Sequence, residues 1–150
     1  MASPVIPRDP KDFGWLLDNF AASTPGVTHA LIVSSDGLPL IAAGDMQADL
    51  ADPLAAMTSG LISLGNNIAA KVGEPGCDQV MLKFPSGHFL FMGIGNLAGF
   101  AVLVAEGANL GVVAHQMAQL VDAVGHVLTP QLRDDLRQMT AGTMSAGDRT

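Results

Sequence analysis

The chain has 150 residues, of which 49% are apolar and 14% charged, and its net charge is −7. That length suits one compact domain with a real core, and the charged share is about half the usual one, so some surface is expected to lie against another protein. Seven Lys plus Arg, spread without a basic run, argue against phosphate-backbone binding and against attraction to an anionic membrane.

No apolar stretch reaches the length of a membrane span, so no membrane insertion is expected. Residues 1–13 carry three prolines and no apolar h-region, which does not fit a signal peptide. The protein is therefore expected to be cytoplasmic. Cys77 is the only cysteine, so neither an intramolecular disulfide nor a thiolate metal cluster can form. It reads as a small, semi-buried thiol.

Residues 1–8 read as a flexible lead-in, 9–139 as one domain, and 140–150 as a small, polar, disordered tail. Asp9-Pro10 reads as an N-cap followed by proline at the first helical position. Phe13, Leu16, Leu17 and Phe20 then form one apolar helical stripe, which Pro25-Gly26 ends. Residues 27–34 are β-like and lead into Ser35-Asp36-Gly37, a strong hairpin signal. Residues 38–43 are the return strand, with Pro39 tolerated near its start on an edge.

Residues 49–71 carry Leu50, Leu54, Met57, Leu61, Leu64 and Ile68 at helical spacing, yet residues 53–70 hold no charge at all. A helix apolar or small nearly all round is normally buried on more than one side. Gly60 and Gly65 each cost about 1 kcal/mol against alanine in a helix interior, so close approach of another backbone is expected there. Gly73 to Gly76 breaks this second helix.

Val80, Leu82 and Phe84 alternate with Met81 and Lys83 as a strand. Residues 89–94 and 100–105 are two further strands, apolar enough to be covered on both faces. Residues 109–128 form a third helix with Leu110, Val113, Met117, Leu120, Val124 and Val127 on its apolar side. His115, Gln119, Asp122 and His126 lie opposite. Thr129-Pro130 interrupts it, and residues 131–139 add a short helical turn or two. The predicted order is αββαβββα, an α/β (α+β) fold whose single five-stranded antiparallel sheet has helices on both faces.

Candidate chemistry is thin. Gly93, Gly95 and Gly99 lack the dinucleotide spacing, and a strand follows where a helix is required, so they read as hairpin glycines. No P-loop and no nucleophile elbow is present. His115 and His126 are eleven residues apart, about 16 Å along a helix, too far for one metal. Asp45, Asp49 and Asp52 complement a helix dipole better than they resemble a Ca²⁺ loop. Ser86 and His88 fit a hairpin without catalysis. Trp15 is either packed beneath a loop or an anchor for a partner. No catalytic, cofactor-binding or metal-binding residue is assigned.

The run from Pro25 to Leu40 (PGVTHALIVSSDGLPL) resembles the signature hairpin of the Roadblock/dynein light chain family. The uncharged run from Leu54 to Leu64 (LAAMTSGLISL) resembles that family too, and Ala108-Asn109-Leu110-Gly111 with Leu128-Thr129-Pro130 is similar to its actinobacterial branch. The resemblance implies a five-stranded sheet between the second helix and the first and third. It also implies homodimers or heterodimers in which third strands pair across a two-fold axis and second helices pack together.

Carried onto this chain, that places Val80, Leu82 and Phe84 in the strand pairing and Met57, Leu61, Leu64 and Ile68 at the helix contact. Family members generally bind small Ras-like GTPases, and actinobacterial ones also accompany a sensor-kinase-like protein. Some bacterial relatives stimulate hydrolysis by their partner. No obvious arginine finger stands out here; Arg133 and Arg137 near the C-terminus are candidates only in the sense of being present. The resulting expectation is a non-catalytic dimeric scaffold or regulator of a small Ras-like GTPase. The alternatives are a small-molecule sensor, with His29, Ser34 and His88 as polar candidates, or a purely structural self-association domain.

Overall fold

The computed structural model describes residues 10–43, 46–95, 98–125, 131 and 138. Its elements run α1 (Pro10–Ser23), β1 (Val27–Ser34), β2 (Pro39–Ala42), α2 (Ala48–Lys71), β3 (Gln79–Phe84), β4 (Gly87–Ile94), β5 (Ala98–Ala105) and α3 (Leu110–Gly125). The five strands form one antiparallel sheet in the order β2-β1-β5-β4-β3. This is the expected αββαβββα arrangement. The proposed Asp9 cap, Asp45, His126 and Val127 lie outside the described residues, as do most of residues 131–139.

Because strand side chains alternate between faces, the sheet carries two separate cores. Ile32, Leu90, Met92, Phe100 and Val102 face α1 and α3, where Phe13, Leu17, Phe20, Val113 and Met117 close over them. Leu31, Val33, Phe89, Phe91 and Ala101 face α2. The Phe20 and Phe100 rings meet edge to face at 4.9 Å and 67°, a favoured geometry for an aromatic pair.

The β1–β2 turn is tighter in its chemistry than the dipeptide Asp36-Gly37 alone suggests. The Ser34 carbonyl accepts from the Gly37 amide at 3.1 Å and the Ser34 amide donates to the Leu38 carbonyl at 2.8 Å. Only Gly37 has positive φ, +87°, so this is a three-residue loop with glycine at the left-handed position rather than a two-residue turn. The Ser34 hydroxyl donates to the Asp36 carboxylate and accepts from the Leu38 amide.

Strand ends differ slightly from the sequence reading. Strands β4 and β5 each start two residues earlier than expected, because Gly87 and Ala98 are held in register by Phe84 and Ile94. The hairpin reading of the glycines is right in kind. Gly93 pairs with Gly99, and a Cβ on Gly99 would lie 2.0 Å from the Phe91 ring. At α3, the Asn109 side chain accepts from the Val112 amide at 3.2 Å and caps the helix.

Two stability predictions follow from this packing. Phe100→Ala removes a fully buried ring at the centre of the larger core and is expected to cost about 3–5 kcal/mol. Gly99→Ala forces the Phe91 ring to move and is expected to cost about 1–3 kcal/mol. Urea unfolding midpoints at constant slope measure both.

Candidate protein-interaction site

Helix α2 lies on the sheet through its smallest side chains. Ala48, Ala51, Ala55, Thr58 and Ala69 are its buried residues, at the three- and four-residue spacing of one helical face. Thr58 satisfies its hydroxyl by donating to the Leu54 carbonyl at 2.7 Å, so even the one polar side chain in this seam leaves no orphan group. Two further contacts fix the helix. Ser59 donates to the Ser35 carbonyl in the β1–β2 turn at 3.2 Å, and Asn66 accepts from the Cys77 amide at 2.9 Å. Its C-terminus closes with the Glu74 amide on the Ala69 carbonyl at 2.8 Å and the Gly73 amide on the Ala70 carbonyl, a Schellman arrangement.

The large apolar side chains of α2 therefore point outwards. Leu64 is 60% exposed and Ile68 65%, with Met57 similar and Leu50 somewhat less so. Leu54, Leu61 and Ile62 are partly buried at the flanks of the seam. Lys71 and the pair Asp49 and Asp52 sit at the two ends, and the span between carries no charge.

The two glycines separate in role. A Cβ on Gly65 would lie 2.8 Å from the Cys77 sulfur, whereas Gly60 meets nothing within 4 Å. Among the described residues, no other element's backbone makes the expected close approach to either glycine. At Gly65 the neighbour is a cysteine side chain, and Gly60 lies on the outward side.

Beside this helix runs the sheet edge β3. Val80 and Leu82 are partly buried against the α2 side of the sheet, and Phe84 is exposed at 45%. Among the described residues no strand pairs with the outer side of β3. The opposite edge, β2, is four residues long, begins at Pro39 and borders a register irregularity at Ile32/Val33. Short strands, proline and bulges blunt an edge against further pairing. Strand β3 has one lysine and none of those features.

The other candidates do not converge. A cleft of about 850 Å³ opens between α2 and the β4–β5 end of the sheet, and its lining includes Ser34, Ser59, Asn66 and Phe91 but neither His29 nor His88. Ser34 already uses its hydroxyl in the turn. His29 contacts Thr28 at 3.1 Å, while among the described residues the buried Nδ1 of His88 on β4 has no hydrogen-bond partner. His115 contacts Gln119 at 3.2 Å on the exposed side of α3. Trp15 is 55% exposed, so the reading that packs it beneath a loop is corrected. It extends from α1 beside Phe13 and Leu17, which take the core positions. Among the described residues no helix is long and apolar enough to cross a membrane.

Residues 13–105 match the family model of the Roadblock/LC7 domain. This chain belongs to the Roadblock/LC7 family. A Roadblock/LC7 domain from Streptomyces avermitilis is 32% identical with a TM-score of 0.70, over 74% of this chain and 92% of that one. MglB from Myxococcus xanthus is 16% identical with a TM-score of 0.72, over 77% and 94%. The gliding protein MglB from Thermus thermophilus is 19% identical with a TM-score of 0.70, over 85% and 96%. The two MglB structures share the fold. No curated protein matches the sequence.

The seam of small residues generates a contrast within one helix of this Roadblock domain. Ala55→Leu inserts volume at a fully buried position between α2 and the sheet and is expected to cost about 1–3 kcal/mol. Met57→Leu, two residues on and facing outwards, is expected to change stability by less than about 0.5 kcal/mol. Thermal unfolding of the two variants at matched concentration makes the comparison.

Proposed function

We propose that this Roadblock/LC7 protein is a non-catalytic scaffold that pairs with a second copy of itself and regulates a small Ras-like GTPase. The observation that carries the self-association is the inversion of α2, which buries alanines and presents Met57, Leu64 and Ile68 to solvent. Burying such side chains is worth about 1.5–3 kcal/mol each, and the uncharged span between Asp52 and Lys71 allows it without stranding an ion. The contact set comprises Met57, Leu61, Leu64 and Ile68 on α2 and Val80, Leu82 and Phe84 on β3, whose free edge accepts a strand from the second copy. Gly60, open on its outward side, lets the facing helix come close.

The GTPase partner rests on family membership, since Roadblock proteins generally bind small Ras-like GTPases. A sensor-kinase-like protein is the second partner that the resemblance to the actinobacterial branch suggests.

Sedimentation velocity at micromolar concentration tests the pairing. The wild-type chain is expected at twice its monomer mass, and Leu64→Asp with Ile68→Asp at the monomer mass with the fold retained by circular dichroism. A monomeric wild-type chain would remove the self-association. The partner is tested by pull-down from native lysate with GDP or a non-hydrolysable GTP analogue. Recovery of a small GTPase with one nucleotide over the other is expected, and recovery of the bait alone would leave only a self-associating scaffold.

A further inference from the structure

The backbone of β3 shows which of its groups are left for a partner. Residues of an antiparallel strand alternate between those that exchange hydrogen bonds with the facing strand and those whose amide and carbonyl point away from it. The Gly93 amide donates to the Asp78 carbonyl at 3.2 Å, which fixes the phase of the β3–β4 ladder. The register runs on from Gln79 opposite Met92 to Phe84 opposite Gly87, so Val80, Leu82 and Phe84 also turn their backbone groups towards β4. Gln79, Met81 and Lys83 turn theirs outwards, to an edge on which no strand pairs among the described residues.

We propose that a second copy of the chain adds its own β3 antiparallel to this edge in one register, with Met81 opposite Met81 across a two-fold axis. This register presupposes the self-association proposed above and goes beyond it by fixing which residues meet. Gln79 then lies opposite Lys83 of the second copy, and all three outward residues exchange hydrogen bonds. The Gln79 carbonyl also accepts from the Cys77 thiol at 3.3 Å and keeps its second lone pair for the strand.

The neighbouring registers do less well. With the axis on Leu82, Gln79 faces Pro85, which has no amide to donate. With the axis on Val80, Lys83 faces Cys77, whose amide already donates to the Asn66 side chain at 2.9 Å.

Side chains favour the same choice. On the face away from α2, Met81, 58% exposed in the single chain, lies against its own copy. Lys83 meets the Gln79 carboxamide, so no like charges stand opposite each other. On the α2 side Val80 faces Leu82 in a non-exchanging pair, the closer kind, with about 4.5 Å between Cα atoms.

The pairing consumes the β3 edge of both copies and leaves β2 at each end of a continuous sheet. Its short length and Pro39 discourage further addition there. The assembly closes as a dimer instead of growing into a filament.

Amide hydrogen exchange of the wild-type chain, read residue by residue by NMR, tests the register. Gln79, Met81 and Lys83 are all expected to exchange at least about tenfold more slowly in the dimer than in the diluted monomer. Slowing of Met81 and Lys83 without Gln79 places the axis on Leu82, and slowing of Gln79 and Met81 without Lys83 places it on Val80. Either result overturns the register. A dimer in which all three exchange freely overturns strand pairing altogether, whereas a chain that sediments only as a monomer overturns the self-association itself.

Disulfide trapping in a Cys77→Ser background gives a second reading. Val80→Cys and Leu82→Cys chains, co-expressed with different tags and oxidised after purification, are expected to form a mixed disulfide dimer. Either variant alone sets its cysteines on a diagonal about 7–8 Å apart and is expected to cross-link at least about tenfold less. Efficient trapping of Val80→Cys alone or Leu82→Cys alone overturns the register.

Discussion

A five-stranded sheet that is apolar on both faces must be covered twice, and everything else in this protein follows from how the two covers differ. One face takes two helices, α1 and α3, whose large side chains interlock with Phe100 and its neighbours. The other takes a single helix, α2, through alanines and one threonine. A seam of small residues sets a helix close to a sheet but contributes little apolar area per residue. Coverage on that side is therefore thin, and the large side chains of the same helix are left facing solvent.

That asymmetry separates folding from association. Stability of the single chain resides chiefly in the core under α1 and α3, with α2 further fixed by polar contacts from Ser59 and Asn66 to the turn and loop beside it. Of the side chains offered to a second protein, Met57, Leu64, Ile68 and Phe84 are exposed, whereas Leu61, Val80 and Leu82 also pack against the α2-side core. Met57, Leu64 and Ile68 can thus change to suit a partner at little cost to the chain itself, while Ala51 and Ala55 cannot. The sheet edges divide in the same way. Strand β2 is blunted by its length, its proline and its register irregularity, whereas β3 has an open edge among the described residues, the side on which the proposed strand addition would fall.

Much of this was legible in the sequence because it depends on local periodicity. The i, i+3, i+4 stripe of α1, the Asp36-Gly37 turn, the alternation of β3 and the uncharged span of the second helix each reflect residues within a few positions of one another. Errors arose where the decisive neighbour was distant. Trp15 sits beside an apolar stripe, and whether a loop covers it depends on segments far along the chain. Gly60 and Gly65 are equivalent in sequence, and only the loop bearing Cys77, eleven residues beyond Asn66, distinguishes them. The starts of β4 and β5 were missed because strand ends are set by cross-strand partners.

By itself the sequence determined the order and type of the elements, the presence of an apolar sheet and the likeness to one family. These are properties of composition and spacing, which the chain carries before it folds. Only the tertiary structure decided which side of α2 meets the sheet. Hydrophobicity alone assigns Leu64 and Ile68 to the interior and alanine to neither side. Yet a helix lying across a twisted sheet already filled by Phe89 and Phe91 has room only for small side chains beneath it. Volume, not hydrophobicity, turns the leucines outwards, and volume is known only once the faces meet.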